Sequence, residues 1–325
     1  MGAYLARRLG TTAITLAGIV VAVFLLIHAA PGDPALLYAG MRRTPPPPEV
    51  LEAIRREHGF DAPLPVQFAS WVGRAATLDL GGSILHRRPV VDVVAESLGP
   101  TLLLNGAALA VALLLGIPLG VASARRAGSL LDRGSAFVLF LLYSLPTFWT
   151  ALILIELFAI RLGWLPLFGM ESPGAAGASG SFADRLRHLV LPVAVLAYPN
   201  VAFFSRFVRT NVREVLAQDY VRTARAKGAA EDVVVWRHAL RNALVPLVSM
   251  LPLAVPWVIS GSIIVEQIFQ WEGIGRLFFS AILSRDYPLV MGLTLLSAVV
   301  TMAASLVADL IYAAVDPRIR IGRSA

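Results

Sequence analysis

Six stretches of this chain, residues 9–30, 101–121, 135–160, 189–207, 247–268 and 289–315, are apolar runs that carry no more than one Asp, Glu, Lys or Arg each. Each is close to or beyond the roughly 20 residues that a helix needs to cross the hydrocarbon core of a bilayer. The composition agrees, since 15% of the residues are charged and 57% are hydrophobic, whereas a soluble chain carries about a quarter of its residues as Asp, Glu, Lys or Arg. The expected fold class is all-α, a polytopic membrane protein with six transmembrane helices. Cysteine is absent, which excludes disulfides, thiolate nucleophiles and sulfur metal sites together.

The net charge of +7 invites a nucleic-acid reading until its distribution is followed. With the amino terminus inside, the inner segments hold 16 basic and six acidic residues, and the outer segments 12 basic and 14 acidic, with Asp309 left within the last run. That bias places both termini in the cytoplasm and makes the basic charge a topology signal. No nucleic-acid partner needs invoking. The first run, after Arg7 and Arg8, exceeds the core of a secretory signal and reads as an uncleaved helix.

Residues 1–100 form the first span plus an outer helical cap, and residues 101–325 a core of five spans. In the cap, Pro48 opens a helix with Glu49 in its first turn and Gly59 closes it; a second helix is expected near residues 63–75, with Val66, Ala69, Val72 and Trp71 on one side. The segment from Glu171, "ESPGAAGASGSFAD", reads as a flexible loop. Pro118, Pro146, Pro192, Pro199, Pro252 and Pro256 lie within spans, where each removes a backbone donor and tends to kink its helix. "GIPLG" at 116–120 has the small-residue spacing of a close helix contact.

Transport requires energy, and the chain lacks the means to bind ATP in the usual way. Its one lysine, Lys227, lies between Ala226 and Gly228, so no phosphate-binding loop exists. A proton-driven carrier would place an ionisable group at the membrane midplane. Glu156 and Glu266 count to outer ends of their spans and Asp309 to an inner end, so snorkelling or helix pairing is their default reading. The five histidines show no metal-ligand spacing.

The inner stretch "AQDYVRTARAKGAAEDVVVWRHALRNALVP", residues 217–246, reads as helix, glycine turn, helix. Lys227 and Arg225 suit the negative end of the first helix, and Gly228 ends it. Asp232 is expected to cap the second, with Val233, Trp236, Leu240 and Leu244 on one face. Residues alone leave three readings: a hairpin on anionic lipid, a helix-turn-helix on DNA, and a knob for a cytoplasmic partner. The small tip, Ala224, Ala226, Gly228, Ala229 and Ala230, lacks the long polar side chains of a DNA reader.

At these residues the chain resembles the permease subunits of ATP-binding-cassette importers. Their general loop pattern, aligned on Gly228, is met at Ala224, Gly228 and Leu240. The dipeptide/oligopeptide/nickel branch matches better, through "DYVRTARAKG", "HALRNALVP", "PGDPA", "FDAPLPVQFASW", "DLGGSILHRRPVVDVV", "YSLPTFW", "VEQIFQWEGIGRL", "SRDYPLV" and "YAAVDPRIR". Two outer departures stand out: Leu78 where that branch commonly has glycine, and Glu272 where it has proline.

The resemblance implies a type I importer permease in the inner (cytoplasmic) membrane, paired with a second homologous permease in a pseudo-symmetric heterodimer. Two cytoplasmic ATPases would carry ATP and Mg, an extracytoplasmic binding protein would deliver a small peptide, and this chain would bind no cofactor or metal and catalyse nothing. Residues at about 209–246 would be the coupling loop, with Asp219, Tyr220, Thr223, Ala224, Ala226, Lys227, Gly228 and Ala229 docking in the ATPase. Trp257, Ser260 and Glu266 stand as candidates for the solute path. A nickel or metal-chelate importer and a gradient-driven carrier are the alternatives.

Overall fold

The computed structural model of the chain describes residues 2–29, 35–36, 46–172 and 182–315. Most of "PGDPA", most of the loop after Glu171, and the carboxyl-terminal end of "YAAVDPRIR" lie outside the described residues, as does the side chain of Asp309. Five described helices are long and apolar enough to cross a membrane, and six spans result if one bent pair counts as a single crossing.

The helices are α1 (Gly2–Ala29), α2 (Pro48–His58), α3 (Leu64–Ala76), α4 (Val90–Arg125), α5 (Leu130–Ser144), α6 (Thr147–Leu154) and α7 (Phe182–Leu216). Beyond them lie α8 (Asp219–Ala226), α9 (Glu231–Val233), α10 (Leu240–Ala243), α11 (Val245–Met250), α12 (Val255–Ser260), α13 (Ile263–Ile268), α14 (Ile274–Leu283) and α15 (Tyr287–Val315).

The structural axis is the pairing of α4 with α7, the most extensive in the molecule. Along α4 the residues Thr101, Asn105, Ala108, Ala112, Gly116, Gly120 and Ala124 are all buried, spaced by four except for one step of three. This ridge of mostly small side chains lets two backbones approach, as helices in lipid must, since lipid tails supply no hydrophobic drive between them. A methyl group on Gly120 would stand 2.6 Å from the Ser205 carbonyl oxygen and 2.9 Å from Val208 Cβ. The expected "GIPLG" contact is thus two steps of a longer stripe.

The prolines behave differently from one another. Both α4, through Pro100 and Pro118, and α7, through Pro192 and Pro199, run on as helices. The chain breaks instead at Pro146, where α5 and α6 meet at 98°. Leu145, the residue before that proline, takes extended angles (φ −80°, ψ 129°), the conformation a following proline favours. Of the kinks expected at the prolines, the one in the run 135–160 is thus present as a sharp bend. The fifth run is fragmented too: Pro246 stands just before it and Pro252 and Pro256 fall in it, a 3₁₀ turn occupies Leu251–Ala254, and Gly261 (φ +77°) separates α12 from α13.

Backbone groups freed at such breaks need new partners where water is scarce, and the unbroken pair α4 and α7 supplies them. Tyr198 on α7 donates its hydroxyl to the Leu145 carbonyl at 2.8 Å. Asn105 on α4 donates its side-chain amide to the Val258 carbonyl at 3.1 Å.

The cap docks through Trp71, which packs with Phe24 of α1 and Met291 of α15. Val66 and Val72 are exposed, so the buried side of α3 centres on Trp71 and not on the valines. Leu78, exposed on the following turn, has φ +62°, a left-handed angle that glycine adopts at less cost. Further on, buried Asp286 accepts from the Ser83 hydroxyl at 2.5 Å and the Leu85 amide at 2.9 Å, tying the loop before α4 to the start of α15.

Candidate functional site

The predicted helix, glycine turn and helix is present. Helix α8 ends in a Schellman motif: the Gly228 amide donates to the Arg225 carbonyl at 2.9 Å and the Ala229 amide to the Ala224 carbonyl at 3.2 Å. Gly228 has φ +82°, and a methyl group placed on it would meet nothing within 4 Å. Backbone angle, not crowding, is what requires glycine here, and the tip faces open space. Asp219, Tyr220, Thr223, Ala226, Lys227 and Gly228 are exposed around it, with Ala224 and Ala229 half-buried.

The second arm departs from the expected register. Ala230, not Asp232, occupies the N-cap position of α9, and residues Val234–Ala239 form a π-helical run before α10. Hydrogen bonds to the fifth residue widen each turn, so a face counted at 3.6 residues per turn drifts. The buried residues are Val234, Val235, Ala239 and Ala243, while Val233 and Trp236 remain about half exposed. Leu240 and Leu244 do pack on the core, as expected.

The root of the hairpin belongs to the core formed by α4 and α7. Val235, Ala243 and Leu247 join Val121, Ala124, Phe204, Val208 and Val212 of the α4–α7 pair in one apolar cluster. Polar ties close the unit. Arg225 and Glu231 pair across the turn at 3.0 and 2.8 Å, and this carboxylate holds the Arg225 guanidinium above its ordinary value. Asp232, freed from capping, pairs with Arg125 at the end of α4 at 2.6 Å. Asn242 donates to the Tyr220 hydroxyl at 2.8 Å, joining the two arms. Local periodicity reveals none of these partners except the opposite charges flanking the glycine turn.

A further contact escapes sequence reasoning. Arg209 on α7 and the buried Asp132 on α5 form a two-pronged pair at 2.5 and 2.8 Å, and the Gly128 amide also donates to Asp132 at 2.8 Å. This fixes the first half of the bent span to the helix that enters the hairpin.

The solute-path candidates lie in different surroundings. Trp257 is half-buried against the apolar core, Ser260 is exposed at the end of α12, and Glu266 is fully buried. Glu266 does not snorkel, and among the described residues it pairs with no cation. Its carboxylate accepts from the Ser262 amide at 3.2 Å, the Arg276 amide at 3.0 Å and the Thr101 hydroxyl at 3.3 Å. Thr101 in turn accepts from the Ile274 amide at 2.7 Å. Together these groups satisfy amides at the starts of α13 and α14, which helix geometry leaves without internal partners. Side chains on Gly261, Gly273 or Gly275 would collide with this carboxylate. Glu266 is thus the buried clasp of the break in the fifth span.

The model of the binding-protein-dependent transport system inner membrane component family matches residues 116–321, and that of its amino-terminal part, described as a binding-protein-dependent transport system membrane component, matches residues 1–105. Among curated relatives, the oligopeptide transport system permease protein AppB of Bacillus subtilis is 40% identical over 324 residues, covering 98% of this chain and 99% of its own. The glutathione transport system permease protein GsiC of Escherichia coli is 38% identical over 317 residues, 98% of each chain. Among solved structures, an inward-facing form of the MetNI methionine ABC transporter superposes with a TM-score of 0.50 at 16% identity, over 68% of this chain and 97% of that one.

Proposed function

The chain belongs to the family of inner membrane components of binding-protein-dependent transport systems, and on that premise we propose that it is the permease subunit of an ATP-driven importer of small peptides. It is a multi-pass inner-membrane protein and the permease component of an ABC importer; the substrate, the coupling mechanism and the partners are the proposal. Both termini and the hairpin of residues 217–246 face the cytoplasm. A second, homologous permease completes the translocation path, an extracytoplasmic binding protein delivers the solute, and two cytoplasmic ATPases hold ATP and Mg.

The observation that carries this reading is the contrast between the tip and the root of the hairpin. The tip is nearly free of bulky side chains and opens outward at Gly228. The root is buried in the α4–α7 core and tied to α4 through Asp232 and Arg125. A groove that seats the tip would therefore push on the α4–α7 pair as a unit, and Asp132 with Arg209 would pass that movement to the bent span. In free-energy terms the permease is the two-state element, and nucleotide is the ligand that biases it. Peptide as the solute draws support from the names of the relatives AppB and GsiC.

The test is reconstitution of the complete transporter with its binding protein in vesicles, with peptide uptake and peptide-stimulated ATP hydrolysis measured together. Gly228→Trp should abolish both while the subunits still insert. Uptake that persists in this variant would defeat the coupling role, and uptake that follows a proton gradient without ATP would defeat the importer mechanism.

A further inference from the structure

A cavity of about 790 Å³ lies between the end of α4, the first half of the bent span (α5) and α7. Its lining changes along the helix axes. Toward the hairpin it presents Arg206, Thr210 and Asn211, and farther from the hairpin it is walled by the rings of Phe140, Tyr143 and Phe203. All three rings are substantially exposed, and Phe137 and Leu141 continue the apolar surface along α5. The cavity therefore has a polar end at the basic side of the protein and an apolar end that opens sideways.

The two arginines of this cavity are not equivalent. Arg209 is neutralised by Asp132, which takes its Nε and Nη2. Among the described residues no carboxylate pairs with Arg206. A guanidinium near the end of the apolar run of α7, without a counter-charge, is held at a cost that an anionic neighbour removes. Thr210 and Asn211 spend donors on the carbonyls of their own helix, at 3.1 and 2.8 Å, so the charge of Arg206 is the principal attraction.

We infer that this cavity is a binding site for an anionic phospholipid of the cytoplasmic leaflet, with the headgroup phosphate on Arg206 and the upper acyl chains against Phe140, Tyr143 and Phe203. Basic pockets between membrane helices on the cytoplasmic side are suited to such headgroups. The order of the lining, charge then aromatic rings, matches the order of a lipid from head to tail. A volume of about 790 Å³ exceeds what a phosphate headgroup fills and leaves room for the chains. The inference stands on the cavity and is independent of which solute the transporter carries.

The complete transporter, purified in mild detergent with an equal mixture of phosphatidylglycerol and phosphatidylcholine, is examined by native mass spectrometry for retained lipid. The wild type should retain phosphatidylglycerol preferentially, and Arg206→Gln should lower that preference about fivefold. Arg206→Lys should keep most of it, and Arg133→Gln, at another exposed arginine on the same side, should leave it unchanged. Equal retention by wild type and Arg206→Gln would overturn the site, as would equal loss in the Gln and Lys variants. Efficient cross-linking of Tyr143→Cys to a second permease subunit would also overturn it, since the cavity would then be a seam between subunits.

Discussion

The side-chain amide of Asn105 reaches across from α4 to the main-chain oxygen of Val258, 3.1 Å away, just before the helix of the fifth span breaks at Gly261. In an unbroken helix that oxygen would accept from the amide of Ser262, which here donates to Glu266 instead. Asn105→Leu should therefore leave a part-buried carbonyl without a partner. The expected loss is about 1–3 kcal/mol, read as a lowered thermal midpoint of the purified transporter. An unchanged midpoint would mean that the break needs no help from α4.

Glu266→Gln tests the clasp. A glutamine keeps one acceptor oxygen but turns an NH₂ group toward amides that themselves donate. Stability should fall by about 1–3 kcal/mol, and Glu266→Ala should cost at least as much. Uptake by the wild type should survive a protonophore as long as ATP is maintained. A stable, well-folded Glu266→Gln transporter that has lost a proton-driven activity would instead make this carboxylate a relay.

Crowding on the α4 ridge gives a sharper contrast. Gly120→Val should push α4 from α7, because even a single added carbon lies 2.6 Å from the Ser205 oxygen; overpacking of this kind costs about 1–3 kcal/mol or more. Gly10→Ala, where nothing lies within 4 Å, should be neutral or slightly stabilising. Comparable yields of folded transporter from the two variants would contradict the packing described for this pair.

Leu78 offers a stabilising change. It is exposed and sits at φ +62°, so Leu78→Gly removes left-handed strain at little loss of packing. A gain of up to about 1 kcal/mol is expected, visible as a raised thermal midpoint. A lowered midpoint would show that the leucine makes a contact in the assembled transporter that outweighs its strain.

Asp132 and Arg209 should behave as a pair. Asp132→Asn should destabilise by about 1–3 kcal/mol, since one face of the guanidinium loses its charged partner and Gly128 its strong acceptor. The double variant Asp132→Asn with Arg209→Gln should cost less than the sum of the single changes, a coupling that a double-mutant cycle on uptake and stability would detect. Strict additivity would remove the pair from the proposed route between hairpin and bent span.

Much of this protein is legible along the chain because membranes impose local rules. Length and apolarity mark the spans, Pro48 and Gly59 bound the first cap helix, and the exposed glycine turn at Gly228 follows from composition alone. Leu78 could be seen to occupy a glycine's place by resemblance, and its angle supplies the reason. What failed were inferences that assumed one period or one partner. The π-helical run at Val234–Ala239 shifted the buried face of the second arm, and Asp232 went to Arg125 instead of a helix end.

By itself the sequence determined that the chain crosses a membrane repeatedly, that its basic segments lie together on one side, and that a small-tipped hairpin interrupts the spans there. These properties depend on composition and on neighbours within a few turns. Only the tertiary structure decided which prolines break a helix and which are carried through. It also assigned Asn105, Tyr198 and Glu266 to the backbone groups that the breaks release, and joined Asp132 to Arg209 across 77 positions. Each of those outcomes depends on a second helix brought alongside. In a medium that offers little water to satisfy a freed amide or a lone charge, that neighbour is what makes the break or the pair stable.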